Sequence, residues 1–348
     1  GVTITTNNNA ANGANQESIS SIKYNAPRDY TAQDRAVTAE DYKTLVKSLY
    51  ANAQAVQVYG GEDAAVPDYG KVYISIKAKS GSNLTVATKE SIVPSLKSYA
   101  VASVTPVIID PETTFITLVV NFKYNSGATT KDVTTLQTNV LTKVASYNND
   151  TLEDFAGMFR YSKLTEAVND ADTSILSNIT TVKMYKYITP TLSSALKYTL
   201  SFNNALYNPH SGHNSTAGGI VSSTGFKIND DDSLNEHFLD DDGAGILRVY
   251  YLSGTARVYT DATYGTIDYA TGEVILTSAN ITSISNVDGA TSTQVRVFAI
   301  PSSNDIVPVR NQVLSIDTSN SSITGEVDGI VSGSSQAGTS YTTSSSYS

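Results

Sequence analysis

Up to Pro190 the apolar residues recur with two periods, 3.6 and 2; beyond Pro190 only the period of 2 remains. That switch constrains the fold more than any other feature, because the two periods belong to one-faced helices and to half-buried strands. Residues 38–50 carry the helical period, with Tyr42, Leu45, Val46 and Leu49 on one face. Thr38 is placed to cap this helix. Asp41, three residues on, makes an Asp form of the capping box and suits the positive helix start. Strands are expected over residues 56–59 and 71–77; in the second, Val72, Ile74 and Ile76 alternate with Tyr73 and Ser75, and it should run antiparallel to the first. Residues 88–99 read as a short helix in which Pro94 is tolerable near an end or as a kink. Residues 104–109 and 114–124 read as strands, the latter with Ile116, Leu118, Val120, Phe122 and Tyr124 in strict alternation. The clearest helix is 130–147, striped by Val133, Leu136, Val140 and Val144. A shorter helix at 162–170 and a strand at 182–188 complete the set. This order predicts an α+β domain over residues 22–190, with helices packed on mixed or antiparallel strands.

After Pro190 short strands are expected over residues 197–203, 225–228, 246–252, 256–260, 265–269, 273–277, 294–300 and 307–316. Turn residues separate them, which predicts an all-β sandwich or partly open barrel over 191–316. Ala270, Thr271 and Gly272 form a three-residue hairpin loop with Gly last, where a left-handed residue is wanted. Two flanking segments lack either period. Residues 1–21 are an Asn/Gly-rich flexible lead-in. Residues 317–348 are a Ser/Gly/Thr-rich tail, ordered only where a neighbour holds it.

Several chemistries are excluded or disfavoured. The chain has no Cys, so it forms no disulfide, thiolate zinc site or iron–sulfur cluster. Its 33 acidic and 23 basic residues give a net charge of −10, which disfavours direct binding to nucleic acid or an anionic membrane. No run of about 18 apolar residues is long enough to cross a membrane. The start has no basic or apolar targeting segment and reads as part of a longer protein. Clustered carboxylates at Asp230, Asp231 and Asp232, and at Asp240, Asp241 and Asp242, suggest Ca²⁺, but the alternating ligand spacing and distal Glu are missing. Both runs read instead as polar turns flanking a strand. His210 and His213 could share a metal in a loop, with His237 the remaining histidine; solvated loop histidines are the commoner case. Gly243 and Gly245 begin a dinucleotide-like pattern that fails at Arg248, and neither a nucleophile elbow nor a P-loop occurs. A glycosidase carboxylate pair is not legible in sequence, since its separation is tertiary. The expectation is a chain without cofactor, metal or catalytic residues. Its 22 Tyr residues suit protein contacts.

The segment over residues 22–42 carries Pro27-Arg28, Tyr30, Ala32-Gln33, Arg35-Ala36-Val37-Thr38 and Asp41-Tyr42 in order. It closely resembles the signature of the baseplate J-like family of contractile-tailed bacteriophages. The later stretches FLDDDGAGILRVYY and GTIDYATGEVIL are similar in style to the C-terminal part of the large wedge proteins of T-even-like phages. The resemblance implies a structural subunit, the C-terminal portion of a wedge protein, in the tail baseplate of the virion. It implies that copies pair with themselves as homodimers, contact other wedge proteins, and link neighbouring wedges into a ring around the central hub that persists through rearrangement on infection. The signature residues Pro27, Arg28, Tyr30, Gln33, Arg35, Thr38, Asp41 and Tyr42 are then structural: an extended lead-in followed by a capped helix. Arg28 and Arg35, close to Asp29 and Asp34, are expected to fix that lead-in through charge-assisted contacts. Composition alone also fits a bacterial surface adhesin, and a tail-associated hydrolase is a more distant alternative.

Overall fold

The structure, a computed structural model, describes residues 19–64, 66–79, 83–213, 219–231, 233, 235–329 and 331. Packing divides the chain into two compact units. One comprises the chain up to Glu112 with Glu153–Ala156 and Val309–Val313; the other comprises Thr113–Leu152, Gly157–Pro308 and the chain from Leu314. Compactness thus divides the chain at Glu112, whereas composition divides it at 190, beyond the last helix.

The first unit contains α1 (Ile19–Ala32), α2 (Ala39–Leu49), β1 (Ala53–Gly60), β2 (Lys71–Ala78), α3 (Val86–Tyr99) and β3 (Thr105–Ile109). Its sheet has the order β1-β2-β3; β1 and β2 are antiparallel, and β3 lies parallel to β2 after the α3 crossover. Tyr42, Leu45 and Val46 of α2 and Ile92 and Leu96 of α3 are buried with Val56, Val58, Ile74 and Ile76 of the sheet. Pro94 is the ninth residue of α3 rather than a terminal one. Both Pro94 and Glu90 are exposed, so the carbonyl deprived of its N–H partner faces water, which limits the cost.

The lead-in departs from expectation. Residues 19–32 are helical, not extended, with Pro27 inside α1. A residue before proline is biased away from helix, which is why the sequence reads as extended. Side chains offset this bias: Arg28 Nη1 donates to the Tyr24 carbonyl at 2.6 Å, Thr31 Oγ1 to Arg28 at 2.9 Å, and Gln33 Nε2 to Tyr30 at 2.8 Å. The lead-in before residue 19 lies outside the described residues.

The second unit begins with β4 (Glu112–Tyr124), α4 (Val133–Tyr147), α5 (Tyr161–Asn169) and β5 (Ile175–Ile188). Leu136, Val140 and Val144 of α4 and Leu164 and Val168 of α5 share one core with Ile116, Leu118, Val120 and Phe122. The remaining strands are β6 (Ala195–Ser201), β7 (Val221–Ser223), β8 (Phe226–Ile228), β9 (His237–Asp241), β10 (Ile246–Ser253), β11 (Ala256–Asp268), β12 (Glu273–Ile284), β13 (Val295–Ala299), β14 (Gln312–Ile316) and β15 (Ser322–Val327). One sheet runs β14-β4-β5-β13-β7, with β15 parallel to β4. The other runs β11-β10-β9-β8-β12-β6, and β11 also pairs with β12. That extra pairing closes β8 to β12 into a five-stranded barrel, with β6 added outside the ring.

The fold class is therefore α+β with a β-rich C-terminal part, and the barrel is closed. Closure depends on β12 exchanging neighbours along its length. Before its register shift between Leu276 and Ala279 it pairs with β11; after it, Ile281 pairs with Ile228 of β8. Bulges of this kind bend strands where barrels turn. The hairpin loop is as expected. Gly272 has φ +74°, and a Cβ there would lie 2.2 Å from the Asn204 carbonyl oxygen, so both conformation and space require glycine.

Three further segments differ from expectation. Residues 256–260 and 265–269 belong to one bulged strand, β11 (Ala256–Asp268), because Asp261 still pairs with Val249 and residues 262–264 are taken up in a register shift before Gly265 pairs with Leu247. The tail holds a strand, β15, seated on β4; Gly325 lies over Phe122, and an added Cβ would come within 2.5 Å of the Phe122 ring. The remaining tail from residue 332 lies outside the described residues. Finally, Asp240 and Asp241 belong to β9 and are buried rather than lying in a solvated turn. Asp242 alone turns the chain, accepting hydrogen bonds from Ala244 and Ile246 N–H.

Candidate functional site

The signature segment forms the corner between α1 and α2. Gln33 and Asp34 take φ +49° and +55°, ending α1 with a left-handed turn. Ala36 then bridges to Ala100, its N–H donating to the Tyr99 carbonyl at 2.9 Å. Thr38 caps α2: Asp41 N–H donates to Thr38 Oγ1 at 3.3 Å, and Thr38 N–H returns a bond to Asp41 Oδ2 at 2.8 Å. Burial opposes the Asp41 charge, but these bonds, one from Val37 N–H and the nearby Arg35 charge hold its carboxyl below the ordinary value. Tyr42 is buried in the core below the cap. Thr38, Asp41 and Tyr42 thus anchor the corner.

The arginines act differently from the expectation. Arg28 does not tie a strand down through carboxylates. Its guanidinium lies 3.5 Å from the Tyr24 ring centroid and bonds the Tyr24 carbonyl, both within α1. Arg35 is exposed and reaches Asp41 only through its field. Arg28 instead lines a polar pocket of about 150 Å³, together with Tyr24, Glu40, Lys43, Lys47 and Asp154. Lys47 Nζ lies 5.9 Å from the other partner of that stack, the Tyr24 ring. Pro27 and Tyr30 are exposed on the outer side of α1, Tyr30 by 77%.

The barrel contains a second polar constellation, in a stretch where the sequence alone reads as a turn. Asp240 Oδ1 accepts from Arg248 Nε at 2.9 Å, while Oδ2 accepts from Arg257 Nη1 at 2.7 Å and Tyr259 OH at 2.8 Å. Adjacent residues of a strand face opposite sides, so Asp241 points away from this cluster. It takes bonds from Val221 N–H at 2.8 Å and Tyr269 OH at 2.7 Å. Arg248 also donates to the Asp241 carbonyl and lies 4.4 Å from the Tyr259 ring centroid. Sequence carries no local signal for this cluster, because Arg248 and Arg257 reach Asp240 only through the strand pairing of the barrel. Both carboxylates are engaged by protein donors, so the cluster serves packing and register.

The three histidines form no single cluster. His213 Nδ1 lies 3.3 Å from His210 Nε2 in an exposed loop. His237 is buried in β9, with Nδ1 at 2.9 Å from the Asn235 carbonyl and Nε2 at 3.0 Å from Thr260 Oγ1. Burial pushes its pKa down. Among the described residues no group of three or more His, Asp or Glu side chains is arranged to hold a metal ion, and no helix is long and apolar enough to cross a membrane. Asp232 lies outside the described residues.

Residues 38–109, spanning α2 to β3, match the family model described as baseplate structural protein gp6, C-terminal domain I. Residues 112–187, spanning β4 to β5, match that of baseplate structural protein gp6, C-terminal domain III. Baseplate wedge protein gp6 of Enterobacteria phage T4 is 31% identical over 223 residues, covering 58% of this chain and 33% of that protein. The chain therefore spans about a third of the length of this relative. The cryo-EM structure of the anti-feeding prophage (AFP) baseplate, 6-fold symmetrised, aligns at 12% identity with a TM-score of 0.36 over 48% of this chain and 37% of that one, a likeness too slight to establish a shared fold.

Proposed function

We propose, from the premise that this chain carries the C-terminal domains of a baseplate wedge protein, that it is a structural subunit of a contractile phage tail baseplate. The observation that carries this reading is the 31% identity to the phage T4 wedge protein, supported by two C-terminal domain matches that follow one another along the chain. In this role the chain works by contact, not catalysis. Copies associate with each other and with other wedge proteins, and so link neighbouring wedges into a ring around the hub. A ring of identical chains needs one heterologous contact or two alternating two-fold contacts; a two-fold contact through this chain supplies one of the latter.

The physical chemistry is compatible with such a part. Helices packed on a sheet and a closed barrel give each unit a continuous buried core. The barrel cluster around Asp240 is saturated by donors on its own chain. The net charge of −10 opposes association at long range, so contacts between copies must be made by locally apolar or mixed-charge surfaces. Fab fragments raised against the chain test the role. Electron microscopy of purified tails should find them at the distal, baseplate end. Label confined to the host cell envelope, with bare tails, would replace this reading with the adhesin one.

A further inference from the structure

We infer that the outer face of α1 is the surface through which two copies of this chain meet, in antiparallel register about Ala26; this rests on the self-association proposed above and assigns it a place. The helix buries Ala32 and half-buries Asn25 and Arg28, while the opposite side is open. At 100° per residue, Ile19, Ile22, Ala26 and Tyr30 fall on that open side, at spacings of three, four and four. Ile19 is 73% exposed, Ile22 46% and Tyr30 77%. Scattered exposed apolar residues need no explanation, but a helical stripe of them does. A proline-containing helix of 14 residues is also marginal without packing on an apolar face.

The pattern fits a second copy better than an unrelated surface. In an antiparallel pair centred on Ala26, Ile22 of one copy lies at the level of Tyr30 of the other. The small residue falls on the two-fold axis, where the helices approach most closely. No charged side chain lies on the stripe itself. Lys23 and Asp29 flank it and cancel, in a chain of −10, and in the antiparallel pair Lys23 of one copy is level with Asp29 of the other, so this is a face on which two acidic molecules can meet. Area limits the strength. A helix of this length spans about 21 Å, and two such stripes bury roughly 1,000 Å² in total, below the 1,200–2,000 Å² of a stable standard interface. The contact is therefore weak and concentration-dependent in solution, and gains strength where a ring supplies further contacts.

The Cys-free chain offers a direct test. Packed helix axes lie 8–10 Å apart with Cα atoms about 2.3 Å from each axis. Facing Cα atoms at residue 26 are then about 3.4–5.4 Å apart, a range that overlaps the 4.4–6.8 Å of disulfides. Ala26→Cys should oxidise to a disulfide dimer far faster than Thr142→Cys, a control on the exposed side of α4. In sedimentation velocity, Tyr30→Glu, which enters the contact twice, should weaken the dimer at least about tenfold. A dimer that persists unchanged in Tyr30→Glu, with no cross-linking at 26 above the control, overturns this assignment and leaves self-association standing. A strict monomer at every concentration, again without the cross-link, overturns both. Cross-links from residue 26 only to other proteins in assembled baseplates would give the face to a different partner and overturn the inference.

Discussion

Replacing Asp240 with alanine is the most informative single perturbation of the fold. The Asp240 side chain is 2% exposed; that of Arg248 is 10% and that of Arg257 33%. Removing one partner of a buried pair costs about 3–5 kcal/mol, because the remaining charge is left buried and uncompensated. The Arg248 bond belongs in that class. The Arg257 bond is a third exposed and must be discounted for screening to about 1 kcal/mol or less, and the Tyr259 hydroxyl loses a bond worth about 1 kcal/mol. Both smaller losses fall within the spread of the Arg248 figure, so an overall loss near 3–5 kcal/mol is expected. With about 2–4 °C per kcal/mol for a unit of roughly two hundred residues, the second unit should melt about 6–20 °C lower. The chain has no Trp and 22 Tyr, so urea unfolding followed by tyrosine fluorescence and circular dichroism suits the measurement. Two controls make the reasoning specific. Arg257→Ala should cost far less than Asp240→Ala, and Asp240→Leu combined with Arg248→Met should recover much of the loss, since an apolar replacement of a buried pair is often neutral. A loss below about 1 kcal/mol for Asp240→Ala would refute this, because it would equate the cluster with a solvated surface pair.

Three other outcomes follow from the same geometry. Thr38→Ala should destabilise the first unit by about 1 kcal/mol in urea unfolding, and Asp41→Ala added to it should cost less than it does alone, since the box is reciprocal. His237 has its pKa lowered from 6.5 by burial despite the nearby Asp231. Its contribution is whole above pH 6.5 and is lost as pH falls below that value, where the unfolded chain takes up a proton the folded one resists. Melting temperature should fall between pH 7 and 5, and His237→Gln should flatten that dependence. Gly325→Ala should cost about 1–3 kcal/mol by overpacking against the Phe122 ring, with hydrogen exchange in β15 rising before that in β4.

Much of the fold was legible because single-chain periodicity decides it. The order α2, β1, β2, α3, β3, β4, α4, α5, β5 follows from one-faced helices and alternating strands, and the Thr38 cap is a purely local device. What was not legible depended on distant residues. β9 reads as an acidic turn until Arg248 and Arg257 from neighbouring strands supply the charges that allow Asp240 into the core. β15 reads as linker until Phe122 supplies the ring against which Gly325 packs. Closure of the barrel depends on which strand β12 faces after its bulge, a pairing that no local pattern encodes. At the candidate interface the signature residues could be found as a string, but α1 was hidden. Pro27 argues against a helix locally, and the stacked Arg28 and Tyr24 that support one are visible only in three dimensions.

As a baseplate part, this chain is proposed to be held to further copies of itself. Cross-linking mass spectrometry of purified tails assembled from equal amounts of isotopically light and heavy chain tests it most directly, since links between identical residues of different copies carry mixed labels. Mixed-label links within this chain are expected, together with links to other wedge proteins in the same tails. Chain peptides linked only to other species, or absent from purified tails altogether, would contradict it.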